Sequence, residues 1–400
     1  MGGVKMKSAY MAATLYLVCA AVFAADVGGV EITGYSRGGG VKGGLTLGGD
    51  LQKYRLGNEG DAGIEVNMAK SLEVDGVKYT LDYMPTKWNG SNVGTEQAFV
   101  EMSGLGIAPE AKIWVGQRRL RIQDVHIVDH FLMDYGVNQG SGFTDLSIAG
   151  MKLGAALQTG DSFDSKMLTG TSANKLNLDL SAIHTNTGGQ LRILLTSVST
   201  SGLKSSGGFG FSLSHNQSDF MTKGLIHTLF LQTSSGYANI NGRFGTFYDT
   251  NGVDSVYGKK VNRIADAINW QFGAFGGQAL FGYQTTRSED PAASYTIKDS
   301  SLGGRVSYAV SQHFKWLMEV GTTSRKFSDS QAAQRLNKIT IAPTLALSPD
   351  FWSRPELRFY VTRANWNEAA AAANSNAITG FGANARTSQT LAGVQYEVWW

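Results

Sequence analysis

Aromatic and charged side chains alternate with aliphatic ones in the final segment of the chain, Leu391–Trp400. Side chains in a β-strand point alternately to two faces, so Trp399 shares a face with Glu397 and Gln395. The opposite face carries Val394, Tyr396, Val398 and Trp400. An indole beside hydrogen-bonding groups can bind a sugar, because a pyranose has apolar C–H faces and a rim of hydroxyl groups. Charged groups form the stronger hydrogen bonds with such a rim.

The composition indicates that these faces belong to a transmembrane β-barrel. The chain has 15 Tyr, 19 Phe and 8 Trp, and only 17% of its residues are charged. It also has 50 Gly and 6 Pro, as expected where glycines fill turns and every strand must be paired. The sequence therefore predicts an all-β fold, a transmembrane antiparallel β-barrel of about 16 to 18 strands that is wide enough for an aqueous channel.

Alternation assigns other side chains to the lumen. Near the N-terminal end, Val30 and Ile32 are predicted to face lipid, while Tyr35 and Arg37 face inward. The stretches 53–59 and 63–68 are read as strands whose inward residues are Arg55, Glu59 and Glu65, and whose lipid-facing residues are Tyr54, Leu56, Ile64, Val66 and Met68. Near the C-terminal end, alternation places Trp352, Arg354, Glu356, Arg358 and Tyr360 in the lumen. The middle of the chain, about 150–345, is read as successive hairpins without defined edges.

Residues 1–25 have the features of a secretory signal peptide, which leaves 26–400 as one outer-membrane barrel domain. Lys5 and Lys7 precede an apolar run that ends at Ala24 and Ala25. The single cysteine, Cys19, lies inside this leader without a small residue before it, so lipidation is not expected. With 35 Lys and Arg against 32 Asp and Glu, the charge gives no indication of a nucleic-acid partner.

Six segments resemble the maltoporin family of sugar-specific porins, in the same order along the chain. They are Gly34–Arg37, Lys53–Glu59, Ile113–Arg118, Asp124–Asp129, Phe351–Pro355 and Glu397–Trp400. The resemblance implies a trimer of barrels with about 18 strands each, in the bacterial outer membrane, with a constriction loop folded inward. It implies sugars such as maltodextrins as the transported solutes, and neither a cofactor nor a metal.

The resemblance also assigns roles to individual residues. Family members have a ladder of aromatic rings, the greasy slide, which here corresponds to Tyr35, Trp88, Trp352 and Trp399. Trp88 resembles a ring that a loop of the neighbouring subunit contributes. The charged track beside the slide corresponds to Arg37, Arg55, Glu65, Asp124, His126 and Asp129, and the constriction aromatic corresponds to Phe131.

Three positions depart from the family pattern. Gly63 stands where the slide has another aromatic residue, and Val100 and Ile122 stand where the track has arginines. Arg119 and Arg121 are close enough in sequence to substitute for those arginines. With fewer rings and guanidinium groups, the channel could hold long maltodextrins less well or prefer another sugar.

Other interpretations are open on the sequence alone. Trp352 and Trp399 could be rim residues, Trp88 an interface anchor, Phe131 packing for the loop, and the lumen charges ordinary ion pairs. The spacing of Asp124, His126 and Asp129 also suits a metal or a catalytic set, although a folded-in loop is the simpler reading. The competing functions are a general diffusion porin, an outer-membrane phospholipase or protease, and a surface adhesin.

Overall fold

The computed structural model describes residues 25–42, 54–160, 172–201, 207–238, 258–292, 294–330, 332–374 and 385–400. The predicted signal peptide lies almost wholly outside the described residues. The first half of the strands is β1 (Ala25–Val27), β2 (Val30–Lys42), β3 (Gly63–Val74), β4 (Val77–Trp88), β5 (Gly94–Ser103), β6 (Lys112–Val125), β7 (His130–Ile148), β8 (Met151–Gly160) and β9 (Ser172–Asn186). The second half is β10 (Gly189–Ser201), β11 (Gly207–Gln217), β12 (Leu225–Gly236), β13 (Lys259–Phe272), β14 (Phe275–Ser288), β15 (Thr296–Ser311), β16 (Phe314–Phe327), β17 (Gln334–Ala346), β18 (Glu356–Trp366) and β19 (Ser388–Trp399).

Strands β2 to β19 form a closed antiparallel barrel of 18 strands, and the short β1 pairs with the start of β2. Each strand pairs with the next one in the chain, and β19 closes the ring against β2. A six-residue helix, α1 (Glu368–Ala373), lies in the connection between β18 and β19. Among the described residues, no helix has the length and apolar character needed to cross a bilayer. The predicted fold class is confirmed, and the weakly patterned middle consists of hairpins as expected.

The alternation of side chains divides the wall into an apolar outer face and a polar inner face. Leu81, Phe281 and Phe359 point outward, with 58%, 46% and 43% of their surface exposed. Their strand neighbours on the other face are buried inside the barrel, as Asp82 and Arg358 are. The terminal strand follows the same rule, since Tyr396 is exposed on the outside while Glu397 is fully buried.

Two segments fold into the barrel and cross its interior. The first inner segment, Tyr54–Glu59, is a turn and not a strand. The second inner segment, His126–Asp129, is a single 3₁₀ turn between β6 and β7 that ends with Asp129 in the left-handed conformation. The two segments contact each other through a hydrogen bond of 3.0 Å from the Arg55 amide to the Ile127 carbonyl.

The prediction that Tyr54 and Leu56 face lipid is wrong. Both side chains are fully buried inside the barrel, and the Tyr54 hydroxyl lies 2.9 Å from Ser301 Oγ. The Tyr54 ring occupies space left by Gly303 and Gly321, which sit opposite each other on β15 and β16. Alternation cannot apply to this segment, because it leaves the wall and packs against the far side of the lumen.

Candidate functional site

The register of the closing strands places two predicted slide residues side by side. Trp399 on β19 pairs directly with Tyr35 on β2, and Tyr35 pairs with Glu65 on β3. Directly opposed residues in an antiparallel pair point to the same face, so these three side chains form a row across the inner wall. The Tyr35 hydroxyl is fixed at its far end, because it donates to Glu397 Oε1 at 2.9 Å and accepts from Arg55 Nη2 at 2.7 Å.

Trp352 lies near Trp399 but belongs to a different part of the chain. Strand β18 begins only at Glu356, after Pro355, so Trp352 lies in the connection before the strand and not in the strand itself. Its ring contacts the edge of His126, with centroids 5.4 Å apart. His126 also contacts Trp399 edge-on at 5.7 Å, so the imidazole bridges the two indoles.

Trp88 completes the group of rings on the same chain. Its indole lies 6.2 Å from the Tyr35 ring, centroid to centroid, and 4.8 Å from the guanidinium carbon of Arg37. The family resemblance predicted that this ring projects into a neighbouring subunit, and in this chain it lies beside Tyr35 and Arg37. Trp88 is the last residue of β4 and points into its own barrel.

Exposure separates these rings from others inside the barrel. Tyr35, Trp88, Phe131, Trp352 and Trp399 are each partly exposed. Other interior rings among the described residues fill space and are almost completely buried, for example Tyr54, Trp114, Tyr135, Phe230 and Phe351. The partly exposed set can therefore offer ring surface to a molecule in the lumen, whereas the buried set cannot.

Arg37 and Arg55 connect the rings to the two inner segments through ion pairs. Arg37 lies 2.7 Å from Glu59 and 3.2 Å from Asp129, and Arg55 lies 2.7 Å from Glu59 and 2.8 Å from Glu397. Burial opposes the charge of Arg55, but the carboxylates of Glu397 and Glu59 raise the pKa of its guanidinium well above the usual range. Both arginines therefore stay charged, and their carboxylate partners hold the inner segments in place.

Three of the residues assigned to the charged track are shielded from the lumen. Arg55 is 2% exposed, His126 is 6% exposed and Arg37 is 7% exposed. His126 lies 3.1 Å from Arg55 Nη1 and 3.2 Å from Arg354 Nη2, and its Nδ1 lies 3.6 Å from Asp124. The structure thus brings Asp124, His126 and Asp129 together around arginines. No group of three potential metal ligands occurs among the described residues.

Two arginines of β6 lie near Glu65 and Glu96 on the inner wall. Arg119 lies 3.0 Å from Glu65 and 3.1 Å from Glu96, so it joins two strands of the wall. Arg121 has a side chain that is 34% exposed, and its guanidinium carbon lies 4.7 Å from the Phe131 ring centroid. Arg119 and Arg121 therefore point inward. Val100 points outward with 44% exposure, and Ile122 packs against the buried core.

Sequence analysis missed the ion pairs that anchor the first inner segment. Glu319 on β16 accepts hydrogen bonds from the Leu56 amide at 2.8 Å, from Lys338 Nζ at 2.8 Å and from Arg305 Nε at 2.8 Å. All these side chains are buried in the lumen. The signal was present as alternation along β16, where Lys315, Glu319 and Arg325 fall on one face.

Comparisons with known proteins agree with the barrel fold. The LamB porin family matches residues 29–400. A curated relative named maltoporin, from Hahella chejuensis (strain KCTC 2396), is 25% identical over 418 aligned positions that cover 96% of this chain and 96% of the relative.

Two solved porins from Pseudomonas aeruginosa share the fold at low sequence identity. OpdQ aligns with a TM-score of 0.53 and 8% identity, over 93% of this chain and 98% of OpdQ. OccK5 (OpdH) aligns with a TM-score of 0.52 and 11% identity, over 92% of this chain and 97% of that protein. The family match extends over nearly the whole chain, and the chain therefore belongs to the LamB porin family, as an outer-membrane β-barrel channel and not an enzyme.

Proposed function

We propose that this channel conducts sugars, with maltodextrin-like oligosaccharides as the preferred class. The observation that carries the proposal is the row of partly exposed rings on the inner wall, Trp352, Trp399, Tyr35 and Trp88, flanked by charged groups. Rings supply flat apolar surfaces for the C–H faces of a pyranose. Glu65, Asp124 and Asp129 supply hydrogen bonds to its hydroxyls. The relative named maltoporin supports the choice of sugar.

The proposed slide is a series of weak stations and not a single tight site. A conducting site must bind strongly enough to attract the solute and weakly enough to release it. Ring contacts of about 0.5–1.5 kcal/mol each would together give millimolar binding, which corresponds to about 4 kcal/mol. Arg55 and His126 contribute by fixing Tyr35 and the two indoles, because both are buried behind them.

The proposal includes the remaining features that the family resemblance implies. The chain is exported by residues 1–25 and assembles as a homotrimer surrounded by outer-membrane lipid. Phe131 and Arg121 border the constriction.

The first test removes single rings and measures block of the channel current by maltodextrin. Trp399→Ala and Trp352→Ala should each weaken the block about two- to tenfold, because one ring contact is lost, while salt conductance stays largely unchanged. Trp316→Ala is the matched control, since that indole is 45% exposed on the outer face of β16. Unchanged block in both lumen variants would contradict the slide. A channel that maltodextrin never blocks would favour general diffusion of small solutes, and liposome swelling with a panel of sugars would then define what passes.

A further inference from the structure

Basic side chains form a row on the outer face of the barrel, at the same end of six consecutive strands. The row has one residue on each of β13 to β18, and every one of its side chains is exposed. Each residue lies near the end of its strand, and strand neighbours on the inner face, such as Arg325 and Leu336, are buried. We call these residues the outer basic row: Lys260, Arg287, Lys298, Lys326, Arg335 and Arg363.

The strand register brings these positive charges close to one another. Lys260 on β13 pairs with Arg287 on β14, and Lys298 on β15 pairs with Lys326 on β16. Lys298 also lies opposite Thr285, which places it diagonal to Arg287. Like charges directly opposite each other destabilise a sheet. None of the six has an ion-pair partner among the described residues, so the described part of the chain leaves this repulsion uncompensated.

The connections at this end of the strands identify it as the outer side of the membrane. Residues 237–258 and 367–387 join strands here, whereas the opposite end has two-residue turns at 273–274 and 312–313. Outer-membrane barrels have short periplasmic turns and longer loops on the cell surface. The outer basic row therefore lies where the outer surface of the membrane meets water, at the level of the lipid headgroups.

The outer face changes in character from the row toward the middle of the barrel. On β15, Lys298 is followed on the same face by Ser300 and then by Leu302. Strand β14 has the same order, from Arg287 through Thr285 to an outward tyrosine. Alternate residues along a strand are about 7 Å apart, so cations, hydroxyl groups and apolar side chains occupy successive depths. This order matches a lipid with phosphate groups at the surface, polar linkages below them and acyl chains below those.

An apolar groove lies on the same outer face, on the membrane side of Arg363. The groove has a volume of about 630 Å³ and is formed by residues of β16 to β19. Pro343 and Ala392 contribute short side chains between bulkier residues of β16 and β18. Val361 lines the groove two residues from Arg363 on the same face of β18, so the guanidinium lies at one end of the groove. Because the groove faces the membrane interior, its expected occupant is a hydrocarbon chain.

Hydroxyl groups hold the Arg363 side chain at the end of the groove. Its Nη1 donates to Thr390 Oγ1 at 2.9 Å, and its Nη2 donates to Ser388 Oγ at 2.7 Å. A guanidinium has five N–H groups, so further donors remain for an anionic oxygen. Arg335 and Lys326 follow on β17 and β16, two strands that also line the groove. These three cations are therefore grouped at the end of the groove that faces the membrane surface.

We propose that this face of the barrel binds a phosphorylated glycolipid of the outer leaflet, with phosphate groups on the outer basic row and an acyl chain in the groove. Charge complementarity selects the phosphates, because each lysine or arginine near a membrane surface adds attraction for an anionic lipid. The groove adds apolar contact to this attraction, and the two together hold one class of lipid. The inference does not depend on which solute passes through the lumen.

A second copy of the chain matches the row less well than a lipid does. At the same end of the barrel, the outer faces of β8 to β10 carry neutral exposed residues, namely Thr159, Asn174 and Ser199. These strands therefore offer no acidic surface to the outer basic row of a neighbouring copy.

The first experiment titrates lipid A, a phosphorylated glycolipid, against the purified protein in detergent micelles and counts bound lipid by native mass spectrometry. Lys298→Gln combined with Lys326→Gln should weaken binding about five- to thirtyfold, because two cations are lost. Lys298→Arg combined with Lys326→Arg keeps both charges and should bind like the wild type. Lys70→Gln combined with Lys87→Gln is the matched control, since both lysines are exposed on other strands, β3 and β4.

Removing the phosphates from the lipid tests the same contact from the other side. Dephosphorylated lipid A should bind the wild type more weakly than lipid A does. This loss should be smaller for the lysine-to-glutamine pair at 298 and 326, because part of the charge contact has already gone. Equal weakening in that pair and in the control pair, or wild-type binding that is the same with and without phosphates, would overturn the proposal.

A second experiment tests the groove with the same lipid. Ala392→Phe fills the groove and should weaken lipid A binding about two- to tenfold, because part of the acyl chain is displaced. Val361→Phe is a second variant in case Ala392→Phe does not fold. Leu302→Phe is the control, since Leu302 lies on the outer face away from the groove and is 57% exposed.

Unchanged lipid A binding in both groove variants would overturn the acyl-chain contact. If the assembly also dissociated in those variants, the occupant of the groove would be a second copy of the chain. Weaker binding in both groove variants, with normal binding in the Leu302→Phe control, would support the lipid site.

Discussion

At the scale of single residues, being on the inner face does not mean being available to a solute. Tyr35 and Arg55 both point into the lumen, but only Tyr35 is partly exposed. Arg55 is enclosed by Glu59, Glu397 and the two inner segments. Its role is therefore to hold the Tyr35 hydroxyl and the inner segments, and alternation alone could not distinguish it from a residue that contacts sugar.

Arg121 is the residue for which we predict an effect on ion selectivity. Its guanidinium is partly exposed beside Phe131 and lies 3.8 Å from Glu96. Arg121→Gln should lower the ratio of anion to cation permeability about two- to fivefold, because unit charges about 4 Å apart in water interact by about 1 kcal/mol. The reversal potential in a KCl gradient measures this change. Arg121→Lys keeps the charge and should behave like the wild type, and equal potentials for the Gln and Lys variants would rule out the proposed effect.

At the scale of elements, the first inner segment depends on a charge at one position of β16. Glu319 is fully buried, and it neutralises Arg305 and Lys338 while accepting a hydrogen bond from the Leu56 amide. Lys338 also donates to the Tyr54 carbonyl at 2.5 Å. The segment is thus tied to the wall through its backbone, which explains how a turn without regular structure keeps a fixed path across the lumen.

Glu319→Gln should destabilise the barrel by about 3–5 kcal/mol, because it leaves two buried cations without their counter-charge. Urea unfolding of the protein in detergent micelles would give the free energy of unfolding. The matched control is Asp145→Asn, whose partner Lys112 lies 3.7 Å away with both side chains 46% exposed, so its cost should be below about 1 kcal/mol. Equal losses in the two variants would show that the buried network does not anchor the segment.

At the scale of the whole molecule, the outer face of the barrel must be apolar at the middle of the bilayer. Near the two ends of the barrel it can tolerate charged side chains. Phe281 lies at the middle of β14, and Tyr308 lies near the end of β15 beside a tight turn. Both face outward, with 46% and 57% of their surface exposed. The depth of each position in the bilayer should therefore determine how much a charged side chain lowers the free energy of unfolding.

Phe281→Arg should lower the free energy of unfolding by about 2–4 kcal/mol in lipid, whereas Tyr308→Arg should cost about 0–1 kcal/mol. Reversible unfolding in liposomes measures both. The same two variants in the absence of a bilayer should differ much less, which isolates the contribution of the lipid. A larger loss at Tyr308 than at Phe281 would contradict the assignment of the membrane-facing belt.

The sequence by itself determined the barrel and the face on which most wall residues lie. A strand has a side-chain period of two, so alternation places Tyr35, Arg37, Glu65 and Trp399 inward without reference to any distant residue. The composition predicted that the strands close into a barrel. Many alternate positions are apolar and prolines are few, which is typical of strands that are all paired in lipid. The family resemblance rests on short local motifs, so it too could be recognised from the sequence alone.

Only the tertiary structure decided which inward residues are covered and where the Trp88 ring goes. The inner segments at 54–59 and 126–129 are packed by partners more than a hundred residues away, such as Ser301 for Tyr54 and Gln278 for Ile127. The position of the Trp88 ring depends on the strand register that pairs Gly63 with Trp88. Register and loop packing are contacts between distant parts of the chain, and a local pattern of residue types does not contain them.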